Sequence, residues 1–356
     1  MTTTQPRAER HHVADALSAI DYCYEQGWTD GLPVVPPTED RVAAMLDYVG
    51  AAPAQVVGRN LVRDRTATAE KVAVNAVMAG CRVEYFPVVI ALVEAMTDDA
   101  YNLHGSSIST GGSAPLVNCN GPLTRELGIN SGVNLFGPGN RANATIGRTV
   151  RLLILNVFGG TPGVLDKSCF GHPGKYTYCI AEDEANSPWT PFHVERGFKR
   201  EESTVTIMAM EGPHQVNVAG PSDPEVILSA VADTMRGTGT MLVSGPSVGE
   251  YVVIFSPELR RILHGKGCDK ESIRQYLASH AGRTAEYLRK HGLLLGASEP
   301  SDATTWVPTV RSAEGIFVLT GGGDAGPFTI CIPPWGRGLN SKAVTRAVRP
   351  PAKSKA

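Results

Sequence analysis

Between Asp166 and Trp189 the chain sets a thiol, an imidazole and an amine close together: Cys169, His172 and Lys175, followed by Cys179 and the acids Glu182, Asp183 and Glu184. A thiol beside a cation or imidazolium ionises more readily, so Cys169 in this setting reads as a nucleophile or redox group. His172 and Glu182 offer a general acid and base, and Lys175 a charge partner for a carboxylate or a developing oxyanion. The competing reading makes Cys169 and Cys179 small buried hydrophobes, the commoner role of any single cysteine. Cys119, between Asn118 and Asn120, is a second candidate thiol. His172, His193 and His214 lack HxH, HExxH or CxxC spacing, so no metal is expected.

Two further stretches have the residue types of a binding site. In NLFGPGNRANATIGRTVRLLILNV, residues 134–157, Gly137 and Gly139 precede a helix whose first N–H groups can face an anion. Asn140, Arg141, Asn143, Arg148 and Arg151 lie in that turn and helix. The spacing is neither a dinucleotide fingerprint nor a Walker loop, so a substrate carboxylate is as good a candidate as a phosphate. In LTGGGDAGPFTICIPPWGRG, residues 319–338, consecutive glycines follow a strand, so Gly322 and Gly323 let backbone approach a ligand and Asp324 stands beside them. Ser244, in VSGPSVGE, belongs to a similar turn. The expectation is that the glycine turns at 137–139, 171–174 and 321–323 converge on one positively biased hollow.

These residues must be held by regular elements. Val13, Ala16, Leu17, Ile20 and Tyr24 recur at helical spacing, and a second helix is predicted after Thr38 with Val42, Leu46 and Val49 inward. Two more helices meet at Gly80, and Ile146, Val150, Leu153 and Val157 form the apolar stripe of another. Short apolar strands running into glycine turns are predicted at 113–122, 203–210, 240–246, 251–257 and 315–326. Asp223–Pro224, Ser256–Pro257 and Asp269 signal helix starts between them. Strands alternating with helices predict an α/β fold, as two lobes of glycine-turn-rich mixed sheet with flanking helices. The divisions expected are 1–198, 199–341 and a basic, frayed tail over 342–356.

Composition narrows the function classes. With 356 residues, 42% of them hydrophobic, the chain can bury a large core, and 33 Lys and Arg against 35 Asp and Glu give no field to hold a nucleic acid. No apolar run approaches the ~20 residues of a membrane span, and no membrane association is expected. The opening residues lack the apolar core of a signal peptide, and seven cysteines without CxxC pairs fit reduced thiols, so the cytoplasm is the expected address. A GxSxG elbow is absent, which disfavours a serine hydrolase of the α/β-hydrolase type.

The series GWTDGLPVVPPT (27–38), EKVAVNAVMAGC (70–81), GPLTRELGINSG (121–132), FGPGNRANATIGR (136–148), GHPGKYTYCIAEDEANSPW (171–189) and GGGDAGPF (321–328) resembles a functionally uncharacterised bacterial protein family over nearly the whole chain. That family is often associated with small redox proteins bearing a Cys- or selenocysteine-Gly-Ser-Cys motif. The resemblance implies a metabolic enzyme and a partner that delivers a thiol or selenol; it carries over no catalytic residue, and this chain lacks the motif. The expected function is therefore a metabolic enzyme acting on a small anionic, carboxylate-type metabolite by thiol-linked redox chemistry. The alternatives are a lyase or hydratase using His172 and Glu182, or a substrate-binding subunit beside a small redox protein. The sequence identifies no cofactor, and a homo-oligomer is expected.

Overall fold

The structure, a computed structural model, describes residues 8–218, 220, 223–238, 250–293, 302–338 and 341–351. In chain order come helices α1 (Ala16–Glu25) and α2 (Glu39–Val49), the hairpin β1 (Val56–Asn60) and β2 (Arg65–Thr68), and helices α3 (Ala69–Ala79), α4 (Phe86–Met96) and α5 (Leu103–Ile108). Next are β3 (Ala114–Asn120), α6 (Leu123–Glu126), α7 (Arg141–Asn156), β4 (Cys179–Ala181), α8 (Phe192–Glu195), β5 (Thr204–Met210) and β6 (His214–Asn217). The chain continues with α9 (Pro224–Met235), β7 (Tyr251–Phe255), α10 (Pro257–Gly265), α11 (Lys270–His280), β8 (Gly282–Thr284), α12 (Ala285–Lys290), β9 (Trp306–Pro308), β10 (Ile316–Thr320), β11 (Phe328–Ile332) and β12 (Val344–Ala347). The strand expected at 240–246, and Ser244 with it, lie outside the described residues.

The fold is α/β, with two mixed four-stranded sheets ordered β12-β5-β3-β4 and β10-β7-β11-β6. Every residue of β5, β7 and β10 is buried, because each sheet is covered on both faces. On one face of the first sheet Val117, Cys119 and Ile207 pack against α3, α4 and α7. Its other face, through Leu116, Ile180 and Met208, meets Ile254, Leu319 and Ile332 of the second sheet. Tyr251, Val253 and Val318 turn outward to α9, α10 and α11. The result is a four-layer sandwich of helices, sheet, sheet and helices.

The sequence signals explain most elements locally. Asp223, Ser256 and Asp269 accept hydrogen bonds from their own helix N-termini, and Gly80 ends α3 with a positive φ of 91°. On α7, Ile146, Val150 and Leu153 are at most 1% exposed. Burying each contributes roughly 1.5–3 kcal/mol against about 1 for an N-cap, so packing fixes this helix more than its cap does. α1 differs from expectation. Leu17 and Tyr24 of the predicted stripe face solvent, as does Val13 ahead of the helix, while Cys23 faces the body.

Strand directions define two ends of the sandwich. β3 runs parallel to β4 and antiparallel to β5, β7 runs parallel to β10 and antiparallel to β11, and a bridge between Met210 and Pro334 joins the ends of β5 and β11. The starts of β3, β4, β7 and β10 therefore share one end, called here the N-end, and their last residues share the opposite C-end. A cut at 198/199 passes through the first sheet, since β5 and β12 lie beyond it and still complete that sheet around β3. The tail is likewise ordered over Val344–Ala347, where β12 pairs with β5. Arg346 and Arg349 reach Asp98 and Glu94, which ties this basic segment to α4 and its neighbour.

Candidate functional site

At the N-end the residues preceding β4 fold over those preceding β3. Cys169 N–H donates to the Thr110 carbonyl, and the Ser168 hydroxyl donates to the carbonyls of Ser109 and Gly111. Beneath this crossing lies a narrow cavity of about 20 Å³, lined by Ser106, Ser107, Ser113, Arg151, Asp166 and Lys175 among others. That room admits a water or the tip of a small polar group.

Charge converges on this cavity. Lys175 Nζ lies 2.8 and 2.7 Å from the two Asp166 oxygens and 2.7 Å from Ser168 Oγ, and Arg151 Nη1 lies 3.5 Å from Asp166 Oδ2. Burial by itself raises the Asp166 carboxyl, but the hydrogen bond and charge of Lys175, with help from Ser168, outweigh it and hold the group below its ordinary value. Arg63 donates to the carbonyls of Phe158 and His104 and to Ser107 Oγ. Among the described residues, Arg151 and Lys175 thus share a single carboxylate, Asp166, while Arg63 binds the Ser107 hydroxyl that lines the cavity together with Ser113. Such a surplus of cations beside hydroxyl donors fits an anion.

His172 has a positioning role in this geometry. Its Nδ1 accepts from the Gly174 N–H at 3.2 Å, which places the ring proton on Nε2 and caps the turn that aims Lys175. Burial first, then the Lys175 charge, push the imidazole below its ordinary value, against the opposing pull of the Met210 carbonyl. The ring does not line the cavity. Cys169 is exposed at the rim, beside a fully exposed Phe170. Sequence reasoning missed Arg63, Ser106, Ser107 and Asp166, although the polar run HGSSIST at 104–110 between two apolar elements was a readable sign.

The glycine turns do not all converge. Gly322 N–H donates to the Ser131 carbonyl, and a Cβ on Gly321 would lie 3.0 Å from Leu135, so 321–323 packs on the segment leading to Gly137 and Gly139. Both turns lie at the C-end. The turn at 171–174 is at the N-end, and the seven residues of β3 between the ends span about 20 Å. The polar groups of 137–148 are used internally. Asn140 caps α7, Asn143 binds Asn130 and the Cys179 carbonyl, and Arg141 holds the Gly80 carbonyl. Arg148 grips Asp30 at 2.8 and 2.7 Å and the carbonyls of Leu32 and Pro33, fastening the extended segment 27–38 onto α7. Asp324 pairs with Arg261 on the surface.

Glu182 also belongs to the C-end. Its oxygens accept from Asn120, the Phe192 N–H and Lys270, and Lys270 reaches Glu195, so a buried ion network ties the first sheet to α11. Asn120 and the Gly121 N–H also donate to Glu184. Gly121 has φ +88°, and a Cβ there would lie 2.2 Å from the Glu202 carbonyl oxygen, so glycine is required where β3 meets this network. Cys119 and Cys179 are buried under α7, and Cys179 is pushed well up by its hydrogen bond to Cys119 and by burial. Among the described residues no three His, Cys, Asp or Glu side chains are placed to share a metal ion, and no helix is long and apolar enough to cross a membrane. No family model and no curated protein matches the chain.

Proposed function

We propose that the protein is a metabolic enzyme that binds a small carboxylate-type metabolite at the N-end cavity and acts on it by thiol-linked redox chemistry. The observation that carries the reading is the meeting of Arg151 and Lys175 at one carboxylate, Asp166, beside the Ser106, Ser107 and Ser113 hydroxyls, with Arg63 bound to Ser107 behind them. A substrate carboxylate entering this cavity meets Arg151 and Lys175 and the hydroxyl of Ser113, while Asp166 and His172 hold Lys175 in place. The body of the metabolite stays at the mouth, since the cavity is too narrow for it. Cys169 at the rim supplies the thiol.

A lyase or hydratase reading needs His172 and Glu182 on one substrate. The length of β3 separates them by about 20 Å, so this alternative finds no support in the geometry. The exposure of Cys169 beside a bare Phe170 favours a second reading, in which the chain is a binding subunit and a small thiol or selenol protein docks at the rim. Titration with malonate and succinate tests the binding claim. Both raise the unfolding temperature of the wild type by mass action and fail to do so for Lys175→Met and Arg151→Met. Equal shifts in all proteins refute the site. A Cys169→Ser variant that binds malonate normally and turns over no metabolite separates the thiol step from binding; unchanged turnover removes the redox chemistry.

A further inference from the structure

On the far side of α7 a second cavity opens that the reading above leaves unused. It measures about 1410 Å³ and runs between α1 and the layer of α2 and α3. Its apolar walls include the buried side chains of Val42, Leu46 and Met78. At one side stand His11, Tyr22 and Trp28, whose ring centroids lie 5.2 to 5.8 Å apart in tilted and edge-on contacts. The Tyr22 hydroxyl is 2.9 Å from His11 Nδ1, which holds two of the rings in register. Asn156 fixes the floor by donating to the Trp28 carbonyl and to Asn75.

Among the described residues that line it, the charge is mostly acidic. Glu9, Asp15, Glu39, Asp40 and Asp47 face Arg10, which is engaged by Glu39 at 2.9 Å. Glu70 is the deepest, 3% exposed, and shares its face of α3 with Val74 and Met78. Aromatic faces and carboxylates both favour a cation, and apolar walls favour a hydrocarbon body behind it. We propose that this cavity binds an organic ammonium ligand, with its cationic head at the aromatic rings and the acidic rim and its apolar body along α2 and α3.

The test is calorimetric titration of the full chain with phenethylammonium, using 3-phenylpropionate as an anion of similar shape. Saturable binding of the ammonium is expected, with the carboxylate weaker by at least about tenfold at this site. Trp28→Ala weakens the ammonium by about tenfold. The exposed double variant Asp40→Asn with Asp47→Asn, which leaves the buried layer intact, lowers affinity about threefold and flattens its salt dependence. Lys175→Met leaves ammonium binding unchanged, which keeps this site distinct from the N-end cavity. Equal binding of both probes here, binding indifferent to Trp28 and to the acidic rim, or no saturation up to about 10 mM overturns the proposal.

Discussion

Replacing Lys175 with methionine tests the charge arrangement at the N-end most directly. The substitution keeps a similar stem but leaves Asp166, 8% exposed, with Arg151 at 3.5 Å as its one cation among the described residues and the Ser168 N–H at 3.2 Å. Removing one partner of a fully buried pair costs about 3–5 kcal/mol. The Lys175 side chain retains 19% exposure and Arg151 remains in place, so screening reduces the expected loss to about 2 kcal/mol. At about 2.1 cal/mol/K of unfolding entropy per residue over 356 residues, that lowers the midpoint by about 3 °C. The pH dependence is specific. In the wild type the Asp166 carboxyl is held below its unfolded value, so its stabilisation is present above the ordinary carboxylate range and is lost as pH falls through the lowered value. In Lys175→Met burial acts without its main counterweight and the carboxyl moves up, so the deficit relative to wild type is largest near neutrality and shrinks on acidification. Melting curves across this range, with a cycle through Asp166→Asn, give a coupling of about 2 kcal/mol. An unchanged midpoint at neutral pH, or a deficit that grows on acidification, refutes the arrangement.

Other consequences are open to measurement. An aromatic disulfide reagent modifies native Cys169 about a hundredfold faster than Cys119 or Cys179, since the latter two need local unfolding to react; uniform labelling by mass spectrometry contradicts the burial. Arg148→Ala strands Asp30, whose side chain is 2% exposed, and costs about 3 kcal/mol. Hydrogen exchange then rises over 28–36, and unaltered protection there shows that Arg148 is not the anchor. Glu182→Leu and Lys270→Met each destabilise by about 3–5 kcal/mol, yet together cost less than their sum; strict additivity in denaturant unfolding shows the two groups are not coupled. His172, held below its ordinary value by burial, draws stability down as pH falls from its unfolded value toward its lowered folded one. His172→Gln therefore flattens that limb, and an identical slope in both proteins assigns it elsewhere.

Local signals determined the elements. Helix starts at Asp223, Ser256 and Asp269, the glycine end of α3 and the buried stripe of α7 follow from hydrogen bonds and periodicity spanning a few residues. The α/β class follows from their alternation. Tertiary structure alone decided that the two sheets stack face to face, that β5 and β12 return to the first sheet across the apparent boundary, and that α1 turns much of its apolar stripe outward. It also decided the sites. The cations near Gly137 looked available because sequence shows a side chain's charge and not its partner, and Arg141 and Arg148 are spent on distant backbone and on Asp30. Arg63, Ser113, Arg151, Asp166 and Lys175 became a cluster only once strand pairing brought remote segments to one end of the sandwich. Short-range propensity acts within a few bonds, whereas long-range electrostatic and packing partners depend on how the chain closes on itself.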